Sequence, residues 1–267
     1  AMAGDSRQLI VAAAQIALGA KVDDNLGRIL WAMDEAAAAG ARVVVLPETA
    51  LSGYSPTTRR AIGRGRDGDD WPPLQRGIEV IARRAAERRL WTVVGSDAWQ
   101  DGAWVNRLYA LSPEGRTAAT YDKVHLMGTE TPYYRPGTAA PTVFDLEGVR
   151  AGLQICYDVR FPEGYRQLLA QGVEVILQGF YGAGGDTWKV PVLGAHLRSR
   201  AAETGCFIVA ANVAGPLQIV ASQIVDPLGL LLARANQDHE EIITATLALK
   251  RVTESEIRRD YLTRFAH

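Results

Sequence analysis

The sequence predicts an α/β fold, and three observations support this prediction. Short apolar segments of strand length alternate with segments whose apolar residues recur at helical spacing. This alternation runs through the first half of the chain and returns in the second half. No linker-like segment interrupts it, so we expect residues 1–267 to form a single domain, with about residues 1–7 disordered or a cloning remnant.

The first half is expected to contain five strands and two helices. In the first predicted helix Leu26, Ile29 and Met33 share one face, and Gly40 is a typical stop. The sequence Ser112-Pro-Glu-Gly115 predicts a hairpin turn. The predicted strands are residues 8–16, 43–46, 90–96, 104–111 and 116–121, and the predicted helices are residues 24–39 and 74–89.

The second half repeats this succession of elements. Turns are expected at Glu147-Gly148 and at Asp226-Pro-Leu-Gly229, each between two apolar runs. The predicted strands are residues 143–146, 149–155, 174–177, 206–212, 219–225 and 230–234, and the predicted helices are residues 163–170 and 190–203. The polar segment 57–70, rich in Arg and Gly, predicts a solvated loop.

Composition narrows the class of protein. With 48% hydrophobic and 22% charged residues, the chain is typical of a globular protein with a sizeable core. A net charge of −1 gives no reason to expect nucleic acid or an anionic membrane as a partner, and no apolar run approaches the roughly 20 residues of a membrane span. The two cysteines, Cys156 and Cys206, imply no disulfide framework, which favours a cytoplasmic protein. The histidines lack ligand-like spacing and no nucleotide-binding loop occurs, so neither a metal nor a cofactor is expected.

Three predicted strands end at residues that can do chemistry. Glu48 and Lys123 each follow a strand segment, and Cys156 lies at a strand-to-helix turn. Because sites assemble at the carboxyl ends of strands in α/β folds, a base, a cation and a thiol would meet there, as nucleophilic acyl transfer requires. Each residue also has a structural alternative: a Cys buried as a small hydrophobe, a Glu at a helix start, and a Lys at the surface.

The segments around these residues resemble the carbon–nitrogen hydrolase (nitrilase) superfamily. They read Leu46-Pro-Glu48, Tyr121-Asp-Lys-Val-His-Leu126 and Gly152-Leu-Gln-Ile-Cys-Tyr-Asp-Val-Arg-Phe-Pro-Glu163, in the order and at the separations typical of that superfamily. The resemblance implies a four-layer αββα sandwich, a homodimer or higher homo-oligomer, and a catalytic triad of Glu48, Lys123 and Cys156. It also implies a second acidic residue, Glu130, seven positions after the lysine.

The expected mechanism follows from the chemistry of these groups. A thiol with a pKa near 8.5 is mostly protonated at neutral pH, so Cys156 needs a base, and Glu48 is the candidate. Attack on a carbonyl carbon creates an oxyanion, for which Lys123 and the backbone N–H of Tyr157 are candidate donors. We assign Glu130 to orienting the substrate amide or the lysine ammonium.

The expected substrate is a small linear amide, hydrolysed to a carboxylate and ammonia. Tyr157-Asp158 follows the cysteine, and this form of the motif is most similar to the amidase-type branch. Arg160 either pairs with a substrate carboxylate or braces the turn that carries the cysteine. The other predicted substrate-binding residues form a phenol-rich pocket lining and are Tyr54, Tyr133, Tyr157 and Tyr181.

Alternatives to this prediction stay open. Family members commonly have Pro-Ala-Ala and an aromatic residue where this chain has Gln178-Gly-Phe-Tyr181. An N-carbamoyl amino-acid or amine hydrolase, or a nitrilase, would use the same triad, and a non-catalytic binding protein on this fold is a remote alternative. His125 could form a Cys–His dyad, but we interpret it as structural because the resemblance gives the base role to Glu48.

Overall fold

The computed structural model describes residues 6–57 and 68–264, and its strands form two six-stranded mixed sheets. The first sheet contains β1 (Gln8–Gln15), β2 (Val43–Val45), β3 (Trp91–Gln100), β4 (Ala103–Leu111), β5 (Thr117–Asp122) and β12 (Glu241–Ala248). The second contains β6 (Val143–Leu146), β7 (Val149–Ile155), β8 (Val175–Gly179), β9 (Phe207–Ala211), β10 (Gln223–Val225) and β11 (Leu231–Arg234). The helices are α1 (Val22–Ala38), α2 (Trp71–Arg88), α3 (Pro162–Ala170), α4 (Lys189–Thr204), α5 (Lys250–Thr253) and α6 (Glu256–Arg264), and a 3-10 turn, Cys156–Arg160, joins β7 to α3.

The two sheets share one pattern of strand pairing. Their orders are β12-β1-β2-β3-β4-β5 and β11-β10-β9-β8-β7-β6. In each, three neighbouring strands are parallel, namely β1-β2-β3 and β7-β8-β9, and the remaining pairs are antiparallel. Each half of the chain therefore supplies one sheet, except that β12 returns to pair with β1.

The central strands are buried on both faces. On β1, Val11 and Ala13 belong to the core between the two sheets, whereas Ala12 and Ala14 belong to the core that the first sheet shares with α1 and α2. A third core lies between the second sheet and the helices α3 and α4. Burial on both faces explains the nearly continuous apolar runs of these strands. The predicted four-layer αββα sandwich is confirmed.

The helices cover the sheets through one apolar face each. Ile29 and Met33 of α1 are fully buried, as is Ile81 of α2, and each such side chain contributes about 2 kcal/mol through burial. On the other side Leu168 of α3 and Leu197 of α4 are fully buried as well. The spacing that predicted the helices is therefore the spacing of their core contacts.

The structure differs from the predicted elements in two places. The predicted strand at residues 219–225 is limited to β10, because the Ile219 N–H donates to the carbonyl of Gly182 and the Val220 carbonyl accepts from Asn212 Nδ2. No element is predicted beyond residue 234, where β12, α5 and α6 lie.

Parts of two other predictions fall outside the described residues. These parts are residues 1–5 of the segment 1–7 and residues 58–67 of the predicted loop. Arg7 is described and pairs with Glu174 at 2.6 Å. Within residues 6–57 and 68–264, no helix has the length and apolar character needed to cross a membrane.

Two glycines let the chain segment after β2 pass between the sheets. A Cβ atom on Gly95 of β3 would lie 2.4 Å from the backbone nitrogen of Thr49, and one on Gly179 of β8 would lie 2.9 Å from that of Glu48. Only glycine fits such close backbone approaches. The Glu48 turn is therefore enclosed by the main chain of both sheets.

Candidate active site

Glu48 is fully buried and its carboxylate is held from several directions. Oε1 accepts hydrogen bonds from Lys123 Nζ and from Asn106 Nδ2, both at 2.7 Å. Oε2 accepts from the backbone N–H of Tyr181 at 2.7 Å. Both oxygens are engaged, so the carboxylate has one defined orientation.

Lys123 joins two acidic side chains at the end of β5. Its ammonium is 2.7 Å from Glu48 Oε1 and 2.7 Å from Glu130 Oε1, and its side chain is 1% exposed. Burial alone would lower the pKa of Lys123, but the nearby negative charges of Glu48 and Glu130 hold that pKa well above its usual range. Lys123 is therefore a permanent cation that acts as a donor.

Glu130 completes this buried charged group. Its Oε1 also accepts a hydrogen bond from the Tyr54 hydroxyl at 3.1 Å, and its Oε2 accepts from the Met127 N–H at 2.7 Å. Burial raises the pKa of Glu130, an effect that Lys123 opposes and Glu48 reinforces.

Cys156 begins the 3-10 turn in a left-handed conformation with φ of +39°. For a residue other than glycine this conformation costs roughly 1–2 kcal/mol, so the surrounding structure must impose it. Burial raises the pKa of the Cys156 thiol well above its usual range, the charge of Glu48 and a hydrogen bond with Glu48 add to this, and Lys123 opposes it. The thiol is therefore neutral at rest, and its pKa responds to the charge of its candidate base Glu48.

Asp158 fixes the turn that carries Cys156. Its Oδ2 accepts from the Tyr121 hydroxyl at 2.8 Å and from the Ile155 N–H at 3.1 Å. Its Oδ1 accepts from the His125 N–H at 2.9 Å and lies 2.8 Å from His125 Nδ1. The buried carboxylate thus ties the turn to the segment that follows β5.

His125 contacts Asp158, the carboxylate that holds the cysteine turn. Its ring is engaged by Asp158 and stacks on Phe161, with 3.8 Å between ring centroids. These contacts support the structural interpretation over a Cys–His dyad.

A cavity of about 180 Å³ opens at Cys156. Tyr54, Tyr157 and Tyr181 line it, and the rings of Tyr54 and Tyr181 stack with centroids 4.5 Å apart. Apolar side chains, among them Leu193 and Ile219, form another part of the wall. Small, mostly apolar cavities of this kind take small organic ligands.

Tyr133 is not one of the described residues that line this cavity, and it packs against the core beneath α1 and α2. The segment 127–134 folds into successive turns, in which the Tyr133 N–H donates to the carbonyl of Glu130. The substrate-binding role of Tyr133 stays a prediction.

Arg160 lines the cavity, with its guanidinium carbon 5.8 Å from the ring centroid of Trp188. Among the described residues, no carboxylate forms an ion pair with it, and its side chain donates no hydrogen bond to the cysteine turn. Arg200 of α4 does brace this turn, since its Nε donates to the Val159 carbonyl at 3.0 Å.

Residues 10–256 match the sequence model of the carbon–nitrogen hydrolases. The chain belongs to the carbon–nitrogen hydrolase family. A 2-oxoglutaramate amidase from Bacillus subtilis is 30% identical over 227 residues, which cover 80% of this chain and 81% of that protein. An (R)-stereoselective amidase from Pseudomonas sp is 31% identical over 220 residues, which cover 80% and 76% respectively. The protein is accordingly an amidase-type carbon–nitrogen hydrolase.

The fold agrees with solved structures of such enzymes. An amidase from Nesterenkonia sp. AN1 in complex with acrylamide superposes with a TM-score of 0.80, 24% identity and coverage of 95% of this chain and 94% of that one. At that identity the likeness concerns the fold.

Three site residues of this carbon–nitrogen hydrolase are absent from the sequence prediction. Asn106 contacts Glu48, Asp158 holds the cysteine turn, and Arg200 braces the same turn. The signal for Asn106 is a polar residue within the apolar run of β4. Asp158 and Arg200 carry no comparable local signal, because charged residues next to turns and on helices are usually solvated. Among the described residues, no group of His, Cys, Asp or Glu suited to a metal ion occurs.

Proposed function

We propose that this enzyme hydrolyses a small linear amide to a carboxylate and ammonia through a thioester on Cys156. The observation that carries the proposal is the placement of Cys156 on a cavity wall beside a buried ion pair, in which the Glu48 carboxylate accepts a hydrogen bond from the Lys123 ammonium at 2.7 Å. A nucleophile, a base and a cation within hydrogen-bond reach are the parts that acyl transfer needs.

In the first step the thiol loses its proton as it attacks. Because the pKa of Cys156 is raised, little free thiolate exists at neutral pH, so the proton passes to Glu48 while sulfur bonds to the amide carbon. The carbonyl oxygen becomes an oxyanion that accepts from Lys123 and from the Tyr157 N–H. One such donor is worth about 10²–10³ in rate.

The thioester then forms and is hydrolysed. Glu48 gives its proton to the nitrogen, the C–N bond breaks, and ammonia leaves. Water attacks the thioester carbon while Glu48 takes a proton from it, and the thiol is restored with release of the carboxylate. The raised pKa of Lys123 favours its cationic form, so in this cycle it acts through its charge and its hydrogen bonds.

Glu130 supports the cation in this proposal. It accepts from Lys123 and from Tyr54, so it fixes the direction of the ammonium and one wall of the cavity together. This agrees with the orienting role predicted from the sequence.

The cavity defines what the substrate can be. About 180 Å³ accommodates a short acyl chain, and the phenol rings of Tyr54, Tyr157 and Tyr181 would flank it. If the acyl chain of the substrate ends in a carboxylate, Arg160 on the same wall would form an ion pair with it. Relatives named as amidases support an amide over a nitrile or a carbamoyl compound. In a structure at 25% identity, a single-site mutant of the amidase from Nesterenkonia sp. AN1 carries the acetamide moiety of fluoroacetamide, covalently added at its active-site cysteine.

The test is intact-protein mass spectrometry combined with ammonia detection, over a panel of short amides with and without a terminal carboxylate, nitriles and N-carbamoyl amino acids. We expect ammonia from amides alone and a transient acyl adduct on Cys156. Ammonia from nitriles, or ammonia with carbon dioxide from carbamoyl compounds, would overturn the amide assignment. An adduct elsewhere would overturn the nucleophile.

A further inference from the structure

Gln178 stands at a position where the family resemblance leads one to expect proline. It lies on β8 and is fully buried, with its side chain on the helix-covered face of the second sheet. A glutamine there brings a donor and an acceptor that proline lacks. A buried amide needs a hydrogen-bond partner for its donor and one for its acceptor. For Gln178 these partners are the Cys156 carbonyl and the Tyr165 hydroxyl.

Tyr165 of α3 orients the amide of Gln178. The Tyr165 hydroxyl donates to Gln178 Oε1 at 2.6 Å, and burial raises the pKa of Tyr165 well above its usual range, so the hydroxyl stays a donor. With Oε1 occupied, Nε2 points the other way and donates to the carbonyl oxygen of Cys156 at 3.4 Å.

The carbonyl of Cys156 and the N–H of Tyr157 belong to one peptide unit. This unit is planar and trans, so the two groups point in opposite directions and rotate together. As the second residue of the 3-10 turn, Tyr157 has an N–H that no acceptor within the turn can reach. A hydrogen bond that holds the Cys156 carbonyl therefore also aims the Tyr157 N–H.

We propose that Gln178, oriented by Tyr165, is a positioning residue that aims the Tyr157 N–H at the oxyanion formed during amide hydrolysis. This inference rests on the proposed function, in which Cys156 is the nucleophile. The left-handed φ of Cys156 makes such a restraint necessary, because the peptide that follows a strained residue relaxes unless it is held.

The test compares Gln178→Met with Gln154→Met. Gln154 is the direct neighbour of Gln178 in the β7–β8 register, is also buried, and makes no contact with the Cys156 carbonyl, so it is a matched control. Two rates are measured on each purified variant: amide turnover, and modification of Cys156 by methyl methanethiosulfonate. The second reaction forms a mixed disulfide and releases methanesulfinate, so it needs the thiol but builds no oxyanion.

For Gln178→Met we expect kcat to fall about 10-fold or more, while KM and the rate of thiol modification stay within about 2-fold of the wild type. The loss of kcat is smaller than that for complete removal of one oxyanion donor, because the Tyr157 N–H is still present but is no longer held in position. Gln154→Met should keep all three values. Tyr165→Phe should give a smaller loss of kcat with the same split. Gln178→Leu also removes the donor to the Cys156 carbonyl, so it should behave like Gln178→Met and serves if that variant does not fold.

Two results would overturn the inference alone: an unchanged kcat in both Gln178 variants, or parallel loss of turnover and of thiol modification, which would mean that Gln178 holds the sulfur itself. The wild type separates this from failure of the proposed function. If modification of wild-type Cys156 leaves amide turnover unchanged, Cys156 is not the nucleophile. That result would refute the proposed function and, with it, this inference.

Discussion

The turn after β2 and the turn after β7 each end a parallel strand with a reactive residue, yet they hold it differently. Both contain a left-handed residue other than glycine, Thr49 with φ of +52° and Cys156 with φ of +39°. Glu48 is fully buried with both carboxylate oxygens occupied, whereas Cys156 is partly exposed and opens onto the cavity. In the proposed mechanism the first turn holds the base in place, and the second presents the nucleophile to the substrate.

This difference separates two tasks within one site. The interior charges of Glu48, Lys123 and Glu130 support one another, so removing one disturbs the other two. Cys156 has no charge at rest and is not needed to balance them. Substitutions at the first turn should therefore affect stability as well as activity, and substitutions at Cys156 activity alone.

The largest effect is expected from Cys156→Ala. Loss of the nucleophile should lower kcat by at least about 10⁴-fold. The midpoint of thermal unfolding should stay within a few degrees of the wild type, because no charge is unpaired. Steady-state ammonia release and calorimetry measure the two quantities. A variant that retains most of its turnover would refute the nucleophile assignment.

Lys123→Met tests the buried charged group, and here we expect a loss of stability. It leaves Glu48 and Glu130 buried without their cation, which should lower the free energy of unfolding by about 3–5 kcal/mol. Urea unfolding measures the change. The double variant Lys123→Met/Glu130→Gln should recover part of the loss, and a single variant as stable as the wild type would show that the charges do not depend on one another.

The pH dependence of the free energy of unfolding should show that folding raises the pKa of the Cys156 thiol. Folding raises the pKa of Cys156, so its stabilising contribution is complete below the unfolded pKa near 8.5 and is lost as the pH rises through the folded value. Between pH 8 and 10 the wild type should lose up to about 1.4 kcal/mol per pH unit more than Cys156→Ala. Cys206, whose pKa burial also raises, is present in both proteins and cancels. Parallel curves would mean that the thiol titrates as it does in the unfolded chain.

The smallest effect concerns strain at Thr49. Its buried hydroxyl has no hydrogen-bond partner among the described residues, and its backbone is left-handed. Thr49→Gly should raise the free energy of unfolding by about 1 kcal/mol, the balance of relieved strain against lost burial and added chain entropy. Thr49→Ala removes the hydroxyl but keeps the strain, so it should gain less. If the alanine variant is the more stable one, strain is not the cause.

Local sequence was sufficient to predict that the proposed catalytic residues lie at strand ends, but not which residues surround them. Glu48 and Cys156 could be assigned to strand ends because an apolar run and a turn signal lie next to each. The contact of Asn106 with Glu48 spans 58 residues and depends on the pairing of β3 with β4, which no local pattern contains. The absence of Tyr133 from the described cavity lining could not be predicted for the same reason, since its place depends on the turns between residues 127 and 134.

For the fold, local patterns predicted only the α/β class, and the apolar runs of the central strands agree with their burial on both faces. The four-layer sandwich was predicted from the resemblance to the carbon–nitrogen hydrolase superfamily. The strand β12 was not, because its exposed and buried residues mix along Glu241–Ala248 and its partner β1 lies at the opposite end of the chain.

Gly95 and Gly179 tie the position of Glu48 to main-chain atoms of both sheets. Substitution of side chains on the cavity wall leaves these backbone approaches in place. The position of Glu48, the proposed base, therefore does not depend on the side chains that line the cavity. Leu193 and Ile219 on the cavity wall come from other segments and could be randomised in a library. Such a library should yield catalysts with new substrate ranges and an unaltered reaction centre, provided that both glycines are kept.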